Sequence, residues 1–254
     1  MLGSKKITCI IPARLQSSRF PQKVLAMLKG KPLLQWVWEA AHKVSFFDHI
    51  AFAIDAKETA ELIKTFHGKY YMTSPDCKSG TERLVQLAYE GKIDTDIWVN
   101  WQGDEPFIHA QMVHELLQGC RHEKSDIWTL KKRIVIREDI ESPHITKVVT
   151  DREGFALYFS RSVIPYYREP YPESDKVFFK HIGIYAYTDK ALQRIGHLQP
   201  SYLEEAEQLE MLRFLYHSLK IKVHETDFDV FGIDIPEHLA KAEAYIDRQN
   251  NDLS

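Results

Sequence analysis

Three cations and two hydroxyls stand close together early in the chain. Residues 12–23 read PARLQSSRFPQK and set Arg14, Arg19 and Lys23 around Ser17 and Ser18. Arg offers a fork of N–H donors and Lys a compact point charge, a combination that can neutralise a triphosphate. The same residues also suit an ordinary solvated basic loop. The chain contains no GxGxxG and no GxxxxGK[ST], so neither a dinucleotide fingerprint nor a P-loop explains an anion site here.

Two carboxylates can complement those cations. Asp104 lies in Gln102-Gly103-Asp104-Glu105-Pro106, after an apolar stretch, and Asp234 lies in Gly232-Ile233-Asp234-Ile235-Pro236-Glu237. Mg²⁺ takes one or two carboxylates and completes its shell with phosphate oxygens and water. Read blandly, the first segment is a turn, since Gly, Asp and Pro favour turns. Asp234 equally suits the start of a helix, where an acid meets the positive end of the dipole.

Further along, Ser79-Gly80-Thr81-Glu82-Arg83 carries the Ser-x-x-Glu pattern of a capping box and sets Arg83 on the first helical turn. His181, Gly183 and Tyr185 alternate within KHIGIY and so share one strand face. A His and a Tyr on one face suit a hydroxyl-rich substrate, or simply a packed strand. Arg161, after Tyr158-Phe159-Ser160, is a partner for a carboxylate or a plain surface charge.

The surrounding pattern must hold these groups in place. Residues 7–11 are a continuous apolar run, as strands covered on both faces are. Helical periodicity from Pro32, strands at 49–54, 70–73 and 97–101, and helices at 56–66, 81–89 and 111–120 give alternating β and α units. That rhythm predicts a parallel sheet covered on both sides. In such sheets ligands bind outside the carboxyl ends of the strands, where residues 12–23 and 102–106 fall. After about Ser125 the rhythm changes, with strands expected at 127–136, 145–150, 155–160 and 178–188. An extended surface loop at 164–172, one long helix at 203–219 and a last helix at 236–247 complete the pattern. The fold class is therefore α/β, a mostly parallel sheet with an inserted mixed-β arm. We expect one domain over 1–254: a nucleotide-binding half to about 124, an arm over 125–200, and C-terminal helices from 201.

Composition narrows the class further. The 254 residues include 33 Lys plus Arg against 36 Asp plus Glu, a net charge of -3, which argues against a nucleic-acid-coating protein. Cys9, Cys77 and Cys120 are sparse and unpaired in spacing, against a disulfide framework or zinc site. No apolar run approaches a membrane span or a signal-peptide core, so a cytoplasmic location is expected.

Taken in order, PARLQSSRFPQK, SGTERL, NWQGDEP, TKVVTD, ALYFSRSVIP, HIGIYAY, LEEAEQLEMLR and GIDIPE resemble the CMP-Kdo synthetase family, the 3-deoxy-manno-octulosonate cytidylyltransferases. The resemblance covers nearly the whole chain and implies a Rossmann-like nucleotidyltransferase fold, Mg²⁺, and a homodimer built through the β arm. It implies transfer of CMP from CTP to the acid sugar Kdo, feeding lipopolysaccharide synthesis. Arg14, Ser17, Arg19 and Lys23 would hold the CTP phosphates, with Ser79, Thr81 and Arg83 near cytosine and ribose. Asp104 and Asp234 would hold Mg²⁺, and would share catalysis with Arg14 and Lys23. Gln102, Arg161, His181, Tyr185 and Glu210 would contact Kdo. Three positions depart from the family pattern: Val24 for Pro, Met211 for Gln and Ile235 for Thr. They put the stiffness of the phosphate loop, one sugar contact and a helix cap in question. The alternatives are a cytidylyltransferase for another acid sugar, such as a sialic acid, and a non-catalytic CTP-binding regulatory module.

Overall fold

The protein is described by a computed structural model over residues 5–17, 19–120, 125–169 and 177–251. It forms two compact units. The first comprises Lys6–Ala110 together with the segment from Val230, and the second comprises Gln111–Asp229.

In the first unit, β1 (Ile7–Ala13) is buried along its whole length. It runs between two parallel neighbours, which is why its sequence is apolar on both faces. A 3-10 turn (Lys23–Leu25), β2 (Met27–Leu28) and β3 (Lys31–Pro32) lead to α1 (Leu33–His42). Then β4 (His49–Ile54), α2 (Lys57–Thr65), β5 (Tyr70–Met72), α3 (Gly80–Glu90) and β6 (Ile97–Asn100) alternate as expected. The strand order is β6-β1-β4-β5, all parallel. Two glycines allow the strand ends to converge. A Cβ on Gly103 would lie 2.9 Å from the Pro12 carbonyl oxygen, and one on Gly80 would lie 2.8 Å from Pro12 Cγ.

The second unit holds α4 (Ala110–Leu116, from the last residue of the first unit), β7 (Ile127–Arg133), α5 (Arg137–Glu141), β8 (Lys147–Thr150), β9 (Ala156–Ser160) and β10 (Phe179–Thr188). It continues through α6 (Asp189–Ile195), α7 (Tyr202–Glu207), α8 (Met211–Tyr216) and β11 (Ile221–Glu225). Its strands are mixed: β11 runs parallel to β7, while β7–β10, β10–β8 and β8–β9 are antiparallel. The expected surface loop at 164–172 has no regular structure through Glu169; its remainder, Pro170 to Pro172, lies outside the described residues.

The long helix expected over 203–219 is two short ones. Gln208 ends α7 in a left-handed conformation, φ 54°, and Glu210 starts α8. Arg213 Nε donates to Glu204 Oε2 at 2.7 Å. Nine residues along a straight helix would separate their backbones by about 13 Å, so the break is what brings the pair together. At the break, Glu207 turns back to accept from Ser160 Oγ at 2.6 Å and from the Arg161 amide at 2.9 Å. The helix begins with a complete Ser201–Glu204 capping box.

The chain then returns to the first unit through α9 (Glu237–Asn251). Ala242 of that helix joins Leu28, Leu33 and Ile233 in a buried apolar cluster, flanked by Phe107, Phe231, Leu239 and Ile246. This cluster, with the Ile233 amide donating to the Asp104 carbonyl at 2.9 Å, fixes Asp234 beside the β6 loop.

Candidate active site

A cleft of about 240 Å³ opens at the carboxyl ends of β1 and β6. Arg14, Ser17, Arg19, Lys23, Ser79, Arg83, Gln102, Asp104 and Asp234 all line it, although they come from four separate stretches of sequence. Ser18 lies outside the described residues. Thr81, in the first turn of α3, is buried at 3% exposure and is not among the lining residues. Lys78 lines the cleft as well; nothing in its local pattern singles it out.

Lys23 is the hinge of the electrostatics. Its ammonium pairs closely with Asp104 and lies 3.2 Å from Asp234 Oδ1. Arg19 Nη2 also reaches Asp234, at 3.2 Å. A cation therefore sits between the two carboxylates that the sequence offers to a metal. Glu105 adds no charge to this set at neutral pH: its side chain is buried and its Oε2 has no hydrogen-bond partner. Burial, with Asp104 and Asp234 adding to it, pushes its carboxyl up to about 8. The two aspartates, bridged by the Lys23 ammonium, are the kind of oxygen donor pair that a hard divalent cation fits. Among the described residues no cluster of three His, Cys, Asp or Glu forms a ready-made metal cage.

The opposite wall is the start of α3. Ser79 Oγ accepts from the Glu82 amide at 3.2 Å, and the Glu82 carboxylate accepts from the Lys78 amide at 2.6 Å. The helix thus aims its positive end toward the cleft, where an anion is favoured. Arg83 is 98% buried and tightly held: Nη2 donates to Asp55 Oδ2 at 2.7 Å, and Nη1 to Thr73 Oγ1 at 2.6 Å. Gln102 Nε2 donates to Asn100 Oδ1 at 2.9 Å. Val24, in place of the family's Pro, is buried in the turn after Lys23.

The other sugar-facing candidates, Arg161, His181, Tyr185 and Glu210, belong to the second unit. The strict alternation expected along β10 is broken, since its register against β7 shifts between Ile182 and Tyr185. The His181 and Tyr185 rings nevertheless stand 5.3 Å apart, and Phe159 meets His181 edge-on at 5.1 Å. His181 Nε2 is 2.9 Å from Thr129 Oγ1. That hydroxyl has one proton and two carbonyls in reach, Ile182 and Ile184, so it accepts from an Nε2–H imidazole. Burial pushes the His181 pKa down to about 3, leaving a neutral ring whose Nδ1 is an acceptor. Arg161 Nε donates to the Glu207 carbonyl at 2.8 Å and Nη1 to the Pro143 carbonyl at 3.0 Å. Met211, at the family's Gln position, is buried in α8.

Reasoning from sequence missed two residues that organise these groups. Asp55 shows no motif of its own, yet it holds both Leu15 and Arg83. Lys147, inside TKVVTD, is fully buried and donates to the carbonyls of Ser142, Ile145 and Arg161 at 2.6–2.9 Å. The signal for Lys147 was present: a lysine in an otherwise apolar strand must find partners when buried.

A parallel α/β unit with cations, paired carboxylates and a helix start at its strand ends defines a nucleotide-handling class. Comparison with known proteins narrows it. The cytidylyltransferase family model matches residues 8–221. The chain is 42% identical over 245 residues to the 3-deoxy-manno-octulosonate cytidylyltransferase of Geotalea daltonii, covering 93% of this chain and 96% of that one. It is 43% identical over 244 residues to the same enzyme of Thermodesulfovibrio yellowstonii, covering 92% and 96%. A solved CMP:2-keto-3-deoxy-manno-octonic acid synthetase in complex with CTP superposes with a TM-score of 0.89 at 37% identity, covering 96% of this chain and 99% of that one. The chain belongs to the cytidylyltransferase family.

Proposed function

We propose that this protein transfers CMP from CTP to 3-deoxy-D-manno-octulosonate, releasing pyrophosphate and CMP-Kdo. The observation that carries the reading is the convergence in one cleft of Arg14, Ser17, Arg19 and Lys23 with Asp104 and Asp234, on a chain whose relatives bear that activity by name.

The chemistry is an in-line displacement: the anomeric hydroxyl oxygen of Kdo bonds to the α-phosphorus as the bond to the β-phosphate bridge breaks. Arg14, Arg19 and Lys23 take up the negative charge that accumulates on the departing pyrophosphate. The start of α3 and Arg83 fix the nucleoside end, so that the α-phosphorus is presented in line. Asp104 and Asp234 would hold Mg²⁺, whose charge would offset that of the phosphates and lower the pKa of the attacking hydroxyl. Arg161 would meet the Kdo carboxylate, and the neutral His181 and Tyr185 would meet its hydroxyls, with Gln102 and Glu210 as further contacts. Catalysis of this kind rests on positioning and charge, and no covalent enzyme intermediate is needed.

Exposed Val135, Ile136, Leu157 and Tyr166 on the second unit support the homodimer that the family resemblance implies. Among the described residues no helix is long and apolar enough to cross a membrane. A cytoplasmic enzyme supplying activated Kdo for lipopolysaccharide fits these features. Asp104→Asn is the test of the site: it should lose at least about 100-fold in turnover while unfolding at the wild-type temperature, the scale of one lost charge-stabilising group. Wild-type turnover would remove Asp104 from the chemistry.

A further inference from the structure

We infer that Asp55 is the positioning residue of the nucleotide cleft, holding its phosphate loop and Arg83 in a single geometry; this rests on the reading of that cleft as the CTP site. Asp55 follows directly on β4, and its side chain is only 9% exposed. It is absent from the cleft wall, so it acts through other residues. Its two carboxylate oxygens serve two different segments. Oδ1 accepts from the Leu15 amide at 2.9 Å, next to Arg14 and two residues before Ser17. Oδ2 accepts from Arg83 Nη2 at 2.7 Å, on the first turn of α3.

The pairing is locked from the far side. Arg83 Nη1 donates to Thr73 Oγ1 at 2.6 Å and to the Ser74 carbonyl at 3.1 Å. Thr73 in turn donates through Oγ1 to the Ile54 carbonyl at 3.0 Å. The carboxyl ends of β1, β4 and β5 and the start of α3 therefore meet at one buried ion pair. Both clients of Asp55 bear on the cleft: the loop through its cations, and Arg83 by lining the wall.

The chemistry specifies why an aspartate stands here. A carboxylate offers acceptors on both oxygens, whereas an amide offers one acceptor oxygen and two donors. An asparagine could satisfy Leu15 or Arg83, but it would turn an NH₂ toward the other. Glutamate keeps both acceptors on a longer arm. Charge alone predicts the opposite sign: removing a negative group from beside a polyphosphate site should tighten anion binding. Geometry and charge are therefore separable in one substitution.

The experiment is calorimetric CTP titration, with Mg²⁺ present, of wild type, Asp55→Asn and Asp55→Glu. It is paired with hydrogen exchange over residues 14–17, thermal unfolding, and KM and kcat for CTP and Kdo. We expect Asp55→Asn to bind CTP about tenfold more weakly and to raise KM for CTP by a similar factor. Its kcat should stay within about threefold and its KM for Kdo within about twofold, while the melting temperature falls because the buried Arg83 loses its counter-charge. Exchange over 14–17 should quicken, and Asp55→Glu should recover part of the CTP affinity. Unchanged or tighter CTP binding by Asp55→Asn would overturn the inference, as would a loss of stability with unchanged KM. If wild type itself does not bind CTP, the reading of the cleft fails. The exchange measurement then still decides the role of Asp55: faster exchange supports it and unchanged exchange removes it.

Discussion

On the proposed reading, Lys23 and a divalent cation compete for the same two carboxylates, and the competition can be measured without turnover. The Lys23 ammonium bridges Asp104 and Asp234, with 11% of its side chain exposed against 26% and 40% for its partners. A metal entering between the aspartates must displace it. Because the partners are partly exposed, each contact is worth about 0.5–1 kcal/mol rather than the value of a dry pair. Two contacts give about 1–2 kcal/mol, and 1.4 kcal/mol is a factor of ten. Lys23→Met should therefore bind Mn²⁺ about 5- to 30-fold more tightly than wild type in the absence of nucleotide, read by calorimetry or by the signal of free Mn²⁺. The same substitution should lose most turnover, since it would remove the proposed contact to the CTP phosphates. With CTP present, the phosphates should take over the ammonium, and the gap in metal affinity between the two proteins should narrow. Equal or weaker Mn²⁺ binding by nucleotide-free Lys23→Met would refute the competition and separate the metal from these aspartates.

Two further outcomes follow from the second unit. Lys147→Met keeps the length of the side chain but strands three carbonyls, one of them that of Arg161. Urea unfolding should show a loss of about 2–4 kcal/mol, the range for unsatisfied buried partners of a charged donor, and a loss below about 0.5 would mean that the carbonyls find other donors. His181 gives a pH signature. An unfolded imidazole titrates near 6.5, while folded His181 stays neutral down to about 3. Between these values the unfolded chain holds a proton that the folded chain lacks, so stability falls as pH falls, by up to about 1.4 kcal/mol per unit from this group. His181→Asn should flatten the decline between pH 6.5 and 5.5 by about 1 kcal/mol, and an unaltered slope would show that the folded imidazole titrates normally.

Much of the first unit was legible because burial on both faces forces its strands to be continuously apolar, as in residues 7–11 and 97–101. The loops at their carboxyl ends then stood out as polar, charged interruptions, which made Arg14, Lys23 and Asp104 visible. Asp234 was harder, since an acid before a helix has a local explanation; only the packing of Ile233 and Ala242 against Leu28 and Leu33 shows why it lies beside Asp104. The break at Gln208 escaped because LEEAEQLEMLR has good helix formers throughout. What bends it is tertiary: Glu207 is drawn to Ser160 and Arg161, and Glu204 to Arg213. Asp55 was invisible for the same reason, as its partners lie 40 and 28 residues away in sequence. Arg83 was visible as a cleft residue, but its burial and ion pair were not.

The most direct test of the account is pyrophosphate release from CTP and Mg²⁺ with Kdo, with a sialic acid, and with no sugar. Release with Kdo alone is the predicted result and would establish reaction and substrate together. Release with the sialic acid instead would keep the cleft and overturn the sugar, and binding of CTP without release under any condition would contradict the proposed transfer altogether.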